Sequence, residues 1–153
     1  SVGTDISQTD AVKLMSASTG FFQTLVDAIR FGFLTREEVV NVYKKSKLGI
    51  VTLHPISNYY VSLPVKMFEY MAAGLPLIAS NFPLWKDIIL ENNAGLCVDP
   101  MSPIEIGEAI NYILNNPKEA KKMGENGRKM VIEKYNWDIE KKKLIDLYQE
   151  LSK

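Results

Sequence analysis

The chain has 153 residues with 18 basic and 18 acidic side chains, so its formal net charge is zero and no overall basic field favours nucleic acid. An apolar content of 46% and a charged content of 24% are ordinary for a globular protein, and the length predicts one domain. The single cysteine excludes an internal disulfide, and no apolar run approaches the roughly 18 residues of a membrane span.

The first third of the chain contains one clear helix start. Residues 1–28 predict a loop with short helical turns, and residues 29–31 predict a short strand. Thr35 and Glu38 have the spacing of a capping box, in which each side chain accepts a hydrogen bond from the other residue's backbone N–H. A helix is therefore expected from Thr35, followed by a buried strand at residues 47–53.

The most informative segment runs from Pro64 to Ser80. Proline suits the first position of a helix, where its missing N–H would have no partner, and Gly74 suits the residue just past the helix end, where φ is often positive. A buried strand is expected at residues 75–79. This helix carries one carboxylate, Glu69.

The remaining segments continue the alternation of strands and helices. The expected elements are a helix from about 81 to 90, a strand at 96–98, a helix from Ser102 to 115 with a second capping box at Ser102 and Glu105, a helix from Pro117 broken near Gly124 or Gly127, and a last helix from Asn136. Short strands alternating with helices of about ten residues predict an α/β fold, a Rossmann-like parallel sheet flanked on both faces by helices.

In such sheets, ligands bind beyond the carboxyl ends of the strands. Three loops are expected at that edge, at residues 32–35, 54–63 and 80–82. The helix that begins at Pro64 would direct its N-terminus there, and free N–H groups with the helix dipole favour an anion such as a diphosphate.

Two residues near that helix start suit phosphate, and a third suits a sugar. Ser62 is small enough to let phosphate oxygens approach, and Lys66 adds a positive charge. The carboxylate of Glu69 can accept two hydrogen bonds from the vicinal hydroxyls of a ribose. The alternative is an exposed glutamate without a ligand, but the apolar neighbours Met67 and Met71 predict a mostly buried helix, where an unpaired acid is costly.

These residues carry a resemblance to a known family. The stretch from Lys66 to Ser80 resembles the donor-binding segment of retaining glycosyltransferases of the GT-B type, family four. The resemblance covers the chain from Ile29 to its end. Its further parts are residues 29–34, 39–43, 81–89, 95–100 and 135–137.

The resemblance implies an activity and a set of contacts. Such a protein transfers a sugar from a nucleoside diphosphate sugar, of the UDP or GDP type, to a carbohydrate or lipid-linked acceptor with retention, in bacterial cell-surface polysaccharide synthesis. Glu69 would bind the ribose, backbone groups around Phe33 and Leu34 would hold the base, and the turn from Ser62 through Leu63 to Lys66 would face the diphosphate. No cofactor or metal is implied, and the expected location is the cytoplasm.

The sequence departs from the family in two places. Val61 occupies the position where the family often has a second glutamate close to the donor sugar. The chain also has no room for the acceptor-binding N-terminal domain or for the first strand of the donor domain with its glycine-rich turn. We therefore expect it to be the C-terminal half of a GT-B enzyme and to be inactive alone.

Smaller signals leave alternatives open. His54 could hydrogen-bond a phosphate or the donor sugar, although a structural or solvent-facing role is favoured, and no second histidine or cysteine pairs with it for a metal. Tyr59 and Tyr60 either cover a ligand or pack the loop. Cys97 is expected to be buried, and Trp137 is expected to anchor the last helix in the core.

Two alternatives concern partners. The lysine clusters at 121–122 and 141–143 are typical of solvated helix faces, with peripheral contact at the inner face of a membrane as the other interpretation. The alternative function is a non-catalytic module that binds a nucleotide or contacts a protein through its last helix. A dehydrogenase is disfavoured because the sequence contains no Gly-x-Gly-x-x-Gly turn.

Overall fold

The structure is a computed structural model that describes residues 34–152. The chain divides into two units, Ser1–Lys47 and Leu48–Lys153, and each is described by itself. The loop, strand and turns predicted before residue 34 lie outside the described residues.

In the first unit, the described part contains one helix, α1 (Arg36–Lys45). Its capping box is confirmed: Thr35 Oγ1 accepts a hydrogen bond from the Glu38 N–H at 3.4 Å, and Glu38 Oε2 accepts one from the Thr35 N–H at 2.7 Å. The hydrogen bonds from the Thr35 backbone and side chain lower the pKa of Glu38, because they stabilise its charged form. The helix therefore begins where the sequence predicted.

The second unit is built on a parallel sheet. Its described strands are β1 (Gly49–Val51), β2 (Leu77–Ser80) and β3 (Gly95–Val98), in the order β1-β2-β3. Gly49 pairs with Leu77, and Leu77 pairs with Gly95. The predicted α/β fold with a parallel sheet flanked by helices is confirmed, and each strand is shorter than expected or displaced by one or two residues.

Six helices are described in the second unit. They are α2 (Ser57–Tyr60), α3 (Val65–Ala72), α4 (Pro83–Glu91), α5 (Pro103–Asn115), α6 (Pro117–Lys134) and α7 (Trp137–Leu151). Helices α3 to α6 contact the strands, and α3 also packs against α6. No residue of α7 is buried.

The ends of α3 differ slightly from the prediction. Pro64 is the residue before the helix, with extended backbone, so the first helical residue is Val65. Gly74 has a φ of 76°, as expected for a residue just past a helix end. The helix-to-strand turn at Gly74 is therefore confirmed.

The predicted break in α6 is wrong. The helix is continuous from Pro117 to Lys134, and Gly124 and Gly127 lie buried within it. A Cβ at position 124 would overlap the carbonyl oxygen of Gly74. The glycines therefore serve close packing of α6 against the end of α3, which outweighs their low helix propensity.

Two further expectations are corrected. Ser102 Oγ accepts from the Glu105 N–H, but the Glu105 carboxylate accepts from the Asp99 N–H, so only half of the second capping box forms. Trp137 is 68% exposed and does not anchor α7 in the core. The core instead centres on fully buried side chains of β2, α3 and α4, namely Met67, Met71, Leu77, Ala79, Trp85 and Ile89.

Candidate functional site

Because the three strands are parallel, the segments that follow them leave the same edge of the sheet. Two of the loops predicted at this edge, residues 54–63 and 80–82, do follow β1 and β2. A third segment, residues 99–102, follows β3 and was not among the predicted loops. Of the remaining predicted loop, Phe33 lies outside the described residues, and Leu34, half-buried, belongs to the first unit.

In the described part of the chain, the start of α3 lacks a side-chain cap. Ser62 is half-buried, and Leu63 and Lys66 are exposed. The N-terminal N–H groups of a helix and a nearby ammonium attract anions, so this turn has the chemistry that a phosphate group needs.

Glu69 is exposed, so the expectation of a buried acid is wrong. The reason lies in the period of α3: Met67 and Met71, four residues apart, face the core, and Glu69 lies between them on the other side. Lys66 and Glu69 are three residues apart and occupy the same exposed side of the helix. The Glu69 side chain is exposed, and its contact with a ribose stays a prediction.

The residue after Glu69 lies at the boundary between the two sides of α3. Desolvation raises the pKa of Tyr70, and the charge of Glu69 raises it further, because both disfavour a phenolate. The Tyr70 ring also occupies the space that a Cβ on Gly49 would need. Tyr70 thus joins α3 to the start of β1.

The loop after β1 contains the other candidates. His54 is exposed, as a solvent-facing histidine would be. Val61, in place of the family's second glutamate, is 79% exposed. Tyr59 packs against the core, and the Tyr60 ring lies 4.6 Å from the Phe82 ring, so both tyrosines pack the loop.

Two buried residues at this edge make hydrogen bonds to the loop after β1 that were not predicted from the sequence. Ser80 Oγ accepts from the Leu53 N–H at 2.8 Å and donates to the Leu53 carbonyl oxygen at 3.1 Å. Trp85 Nε1 donates to the Ser62 carbonyl oxygen at 2.7 Å. The sequence offers one signal for the Ser80 contact, which is a polar residue at the end of the apolar strand β2. It offers no comparable signal for the Trp85 contact.

The described residues also include histidine, acidic and cysteine side chains away from the start of α3. Among residues 34–152, no group of three or more histidine, cysteine or acidic side chains could hold a metal ion. Cys97 is half-buried, and burial raises the pKa of its thiol to about 11 despite the opposing charge of Lys86. A thiol with such a pKa is almost wholly protonated near neutral pH and is a weak nucleophile.

The C-terminal helices present different surfaces. In α6 and α7, exposed ion pairs join Lys121 to Glu125 and Lys143 to Glu140, as expected of solvated helix faces. A shallow groove is lined by Leu144, Ile145, Tyr148, Gln149 and Ser152, none of which is a predicted donor residue. Within the described residues, no helix is both long and apolar enough to cross a membrane.

Known proteins resemble the chain in both sequence and fold. It is 26% identical over 118 residues to an uncharacterized glycosyltransferase of Methanocaldococcus jannaschii, covering 77% of this chain and 29% of that protein. It is 33% identical over 84 residues to a GDP-mannose-dependent alpha-(1-6)-phosphatidylinositol monomannoside mannosyltransferase of Mycobacterium tuberculosis, covering 55% and 22%.

A solved structure extends the resemblance to the fold. Sucrose-phosphate synthase from Thermosynechococcus elongatus superposes with a TM-score of 0.67 at 27% identity, over 85% of this chain and 33% of that one. The chain thus spans a third or less of each of these three relatives. The family described as "Glycosyl transferases group 1" matches residues 23–130, and because this match covers more than half of the chain, the protein belongs to that family.

Proposed function

We propose that this chain binds the nucleoside diphosphate sugar in a retaining glycosyltransferase. The single observation that carries the proposal is the arrangement at the start of α3, where an uncapped helix N-terminus lies beside an exposed lysine and an exposed glutamate, Lys66 and Glu69. The helix end and lysine suit a diphosphate, and the glutamate suits the vicinal hydroxyls of a ribose.

In this proposal, the chain positions the donor and stabilises charge. The diphosphate faces the turn from Ser62 through Leu63 to Lys66, and the helix N-terminus favours the negative charge that develops as the diphosphate leaves. The family resemblance alone assigns the base to backbone groups around Phe33 and Leu34, and His54 is available for a phosphate or sugar oxygen. Glu69 binds and orients the donor and is not assigned as a general base.

The donor, acceptor and location are part of the same proposal. The donor is a UDP- or GDP-type sugar, and one relative carries GDP-mannose dependence in its name. The acceptor is a carbohydrate or a lipid-linked sugar of cell-surface polysaccharide synthesis. An N-terminal domain would bind this acceptor opposite the donor. The site is cytoplasmic, with peripheral contact at the inner face of the membrane.

Substitution of Glu69 tests the proposal. In the full-length protein, Glu69→Ala is expected to weaken donor binding about tenfold or more, the scale of a lost charged hydrogen bond. Isothermal titration with UDP, GDP and their sugars measures the affinity. Glu108→Ala, which removes an exposed glutamate from α5, is the matched control and should bind as the unsubstituted protein does. Equal donor affinity in the Glu69 variant would contradict the assignment.

The second candidate is a non-catalytic module that contacts a protein partner or binds a nucleotide without transfer. The observation that favours it is α7, whose apolar side chains Leu144, Leu147, Tyr148 and Leu151 are all exposed. Thermal shift with UDP and GDP, combined with sedimentation analysis, separates donor binding from the protein-contact form of this candidate, and an assay of sugar transfer by the full-length protein separates it from nucleotide binding without transfer. Stabilisation by one nucleotide supports donor binding, whereas self-association without any nucleotide response supports the module.

A further inference from the structure

The corner between β2 and α4, residues 80–85, holds the loop that leads to the candidate donor site. Ser80 and Trp85, at its two ends, are both fully buried. Ser80 Oγ bonds both the N–H and the carbonyl oxygen of Leu53, 27 residues earlier. Trp85 Nε1 donates to the carbonyl oxygen of Ser62, 23 residues earlier. One corner thus fixes both ends of the segment from Leu53 to Ser62.

Aromatic ring contacts accompany these two hydrogen bonds. The Tyr60 and Phe82 centroids lie 4.6 Å apart, and the Phe82 and Trp85 centroids lie 4.8 Å apart. Tilted ring pairs at such separations are favourable beyond their buried area. The side chain of Tyr60 therefore ties α2 to the same corner, and the indole of Trp85 contacts both the ring of Phe82 and the backbone of Ser62.

The Trp85 hydrogen bond acts on the turn that the proposed function assigns to the diphosphate. Ser62 lies four residues before Lys66, and Leu63 and Pro64 are the only residues between it and the start of α3. The Ser62 carbonyl oxygen lies 2.7 Å from Nε1 of the buried Trp85 ring, and this hydrogen bond fixes the direction in which the chain enters α3. The alignment of reacting groups depends on how precisely such a turn is positioned.

We propose that Trp85 is a positioning residue of the donor site, which acts through Ser62 and does not touch the donor itself. The inference rests on the proposed function. The indole N–H of Trp85 orients the turn from Ser62 to Lys66, so that the N-terminus of α3 and the Lys66 ammonium face the same diphosphate. The ring contributes to the core, and the N–H contributes to binding, so the two roles can be separated chemically.

The separating experiment replaces the indole N–H with sulfur. Trp85→Phe removes the N–H but also shrinks a fully buried side chain, so it tests stability and binding together. Incorporation of 3-benzothienylalanine at position 85 keeps the ring size and removes only the donor. The same replacement at Trp137, the chain's other tryptophan and 68% exposed, is the matched control. All variants are made in the full-length protein.

Affinity for UDP and for GDP is measured by titration well below the melting temperature. We expect the benzothienyl variant at 85 to bind the preferred nucleotide about fivefold more weakly, the scale of one neutral hydrogen bond. Amide exchange at Leu63, Val65 and Lys66 should accelerate, while exchange in β3 should not. The Trp137 variant should match the unsubstituted protein in both measurements.

The outcomes distinguish this inference from the function on which it rests. Weaker binding together with faster exchange in the turn supports the positioning role. If the unsubstituted protein binds a nucleotide and the benzothienyl variant binds it equally well, the positioning role is overturned and the donor site stands. If the unsubstituted protein binds neither UDP nor GDP, both the proposed function and this inference are overturned.

Discussion

The two sides of α3 have opposite chemistry within eight residues. Met67 and Met71 are completely buried on one side, and Lys66 and Glu69 are exposed on the other. The buried side fixes the helix to the core, so its substitutions should change the free energy of unfolding. The exposed side contributes little to the core, so its substitutions should change ligand binding. The difference predicts which measurement responds to which residue.

The largest expected effect concerns the contact between α6 and the end of α3. Gly124→Ala should lower the free energy of unfolding by about 4 kcal/mol or more, because the new Cβ meets the backbone of Gly74, which a side-chain rotation cannot relieve. Chemical denaturation followed by circular dichroism measures the loss.

Gly127→Ala is the matched control in the same helix. A Cβ there would lie 3.0 Å from Cγ of Met71, at a flexible side chain that can move. Gly127→Ala should therefore lower the free energy of unfolding much less than Gly124→Ala does. Equal losses of unfolding free energy in the two variants would contradict the idea that Gly124 is needed for the close approach of α6 to Gly74.

The second prediction compares the stability effects of substitutions on the buried side and on the exposed side of α3. Met71→Ala should lower the free energy of unfolding by about 3 kcal/mol, the usual scale for emptying a buried position. Lys66→Ala, on the exposed side, should change it by no more than about 0.5 kcal/mol. Urea titration of both variants provides the comparison, and similar losses would remove the distinction between the two sides.

A smaller effect concerns Tyr70, at the boundary between the sides. Its pKa is raised above the ordinary 10.0 by burial and then by Glu69, so the folded state holds the phenolic proton more tightly than the unfolded state does. Its contribution to stability is present below pH 10 and is lost as the pH rises through the folded pKa. Stability should therefore fall above pH 10.

Tyr70→Phe should reduce this alkaline loss, whereas Tyr148→Phe, at an exposed residue, should leave it unchanged. Denaturation midpoints between pH 9 and pH 11 measure the dependence. A pH dependence of the Tyr70 variant equal to that of the unsubstituted protein would contradict the role of this phenol.

Local chemistry was predictable from the sequence where it depends on neighbours along the chain. The capping box at Thr35 and Glu38, the positive φ of Gly74 and the cap at Asn136 all follow from the residue types and their spacing. The parallel sheet followed from the alternation of strands and helices. The continuity of α6 was not predicted, because the packing that favours glycine at position 124 involves Gly74, fifty residues earlier.

The candidate site was predictable only in part for the same reason. The turn before α3 and the edge of the sheet follow from chain order, but the burial of a single side chain does not. Apolar neighbours predicted a buried Glu69, whereas the helical period exposes it. The bonds from Ser80 and Trp85 to the loop join residues more than twenty positions apart, and no local pattern encodes them.

Trp137 gives the smallest expected effect, and beside Trp85 it gives the sharpest contrast between an exposed and a buried position. Sequence alone favoured Trp137 as the core anchor, yet it is 68% exposed and Trp85 is fully buried. Trp137→Ala should therefore change the free energy of unfolding by no more than about 0.5 kcal/mol, whereas Trp85→Ala should cost about 3 to 5 kcal/mol. Denaturation of both variants in the same buffer makes the comparison, and a loss at Trp137 comparable to that at Trp85 would show that α7 is packed in solution. Its exposed leucines and tyrosine would then belong to the folded core, and the protein-contact alternative would lose the observation that favours it.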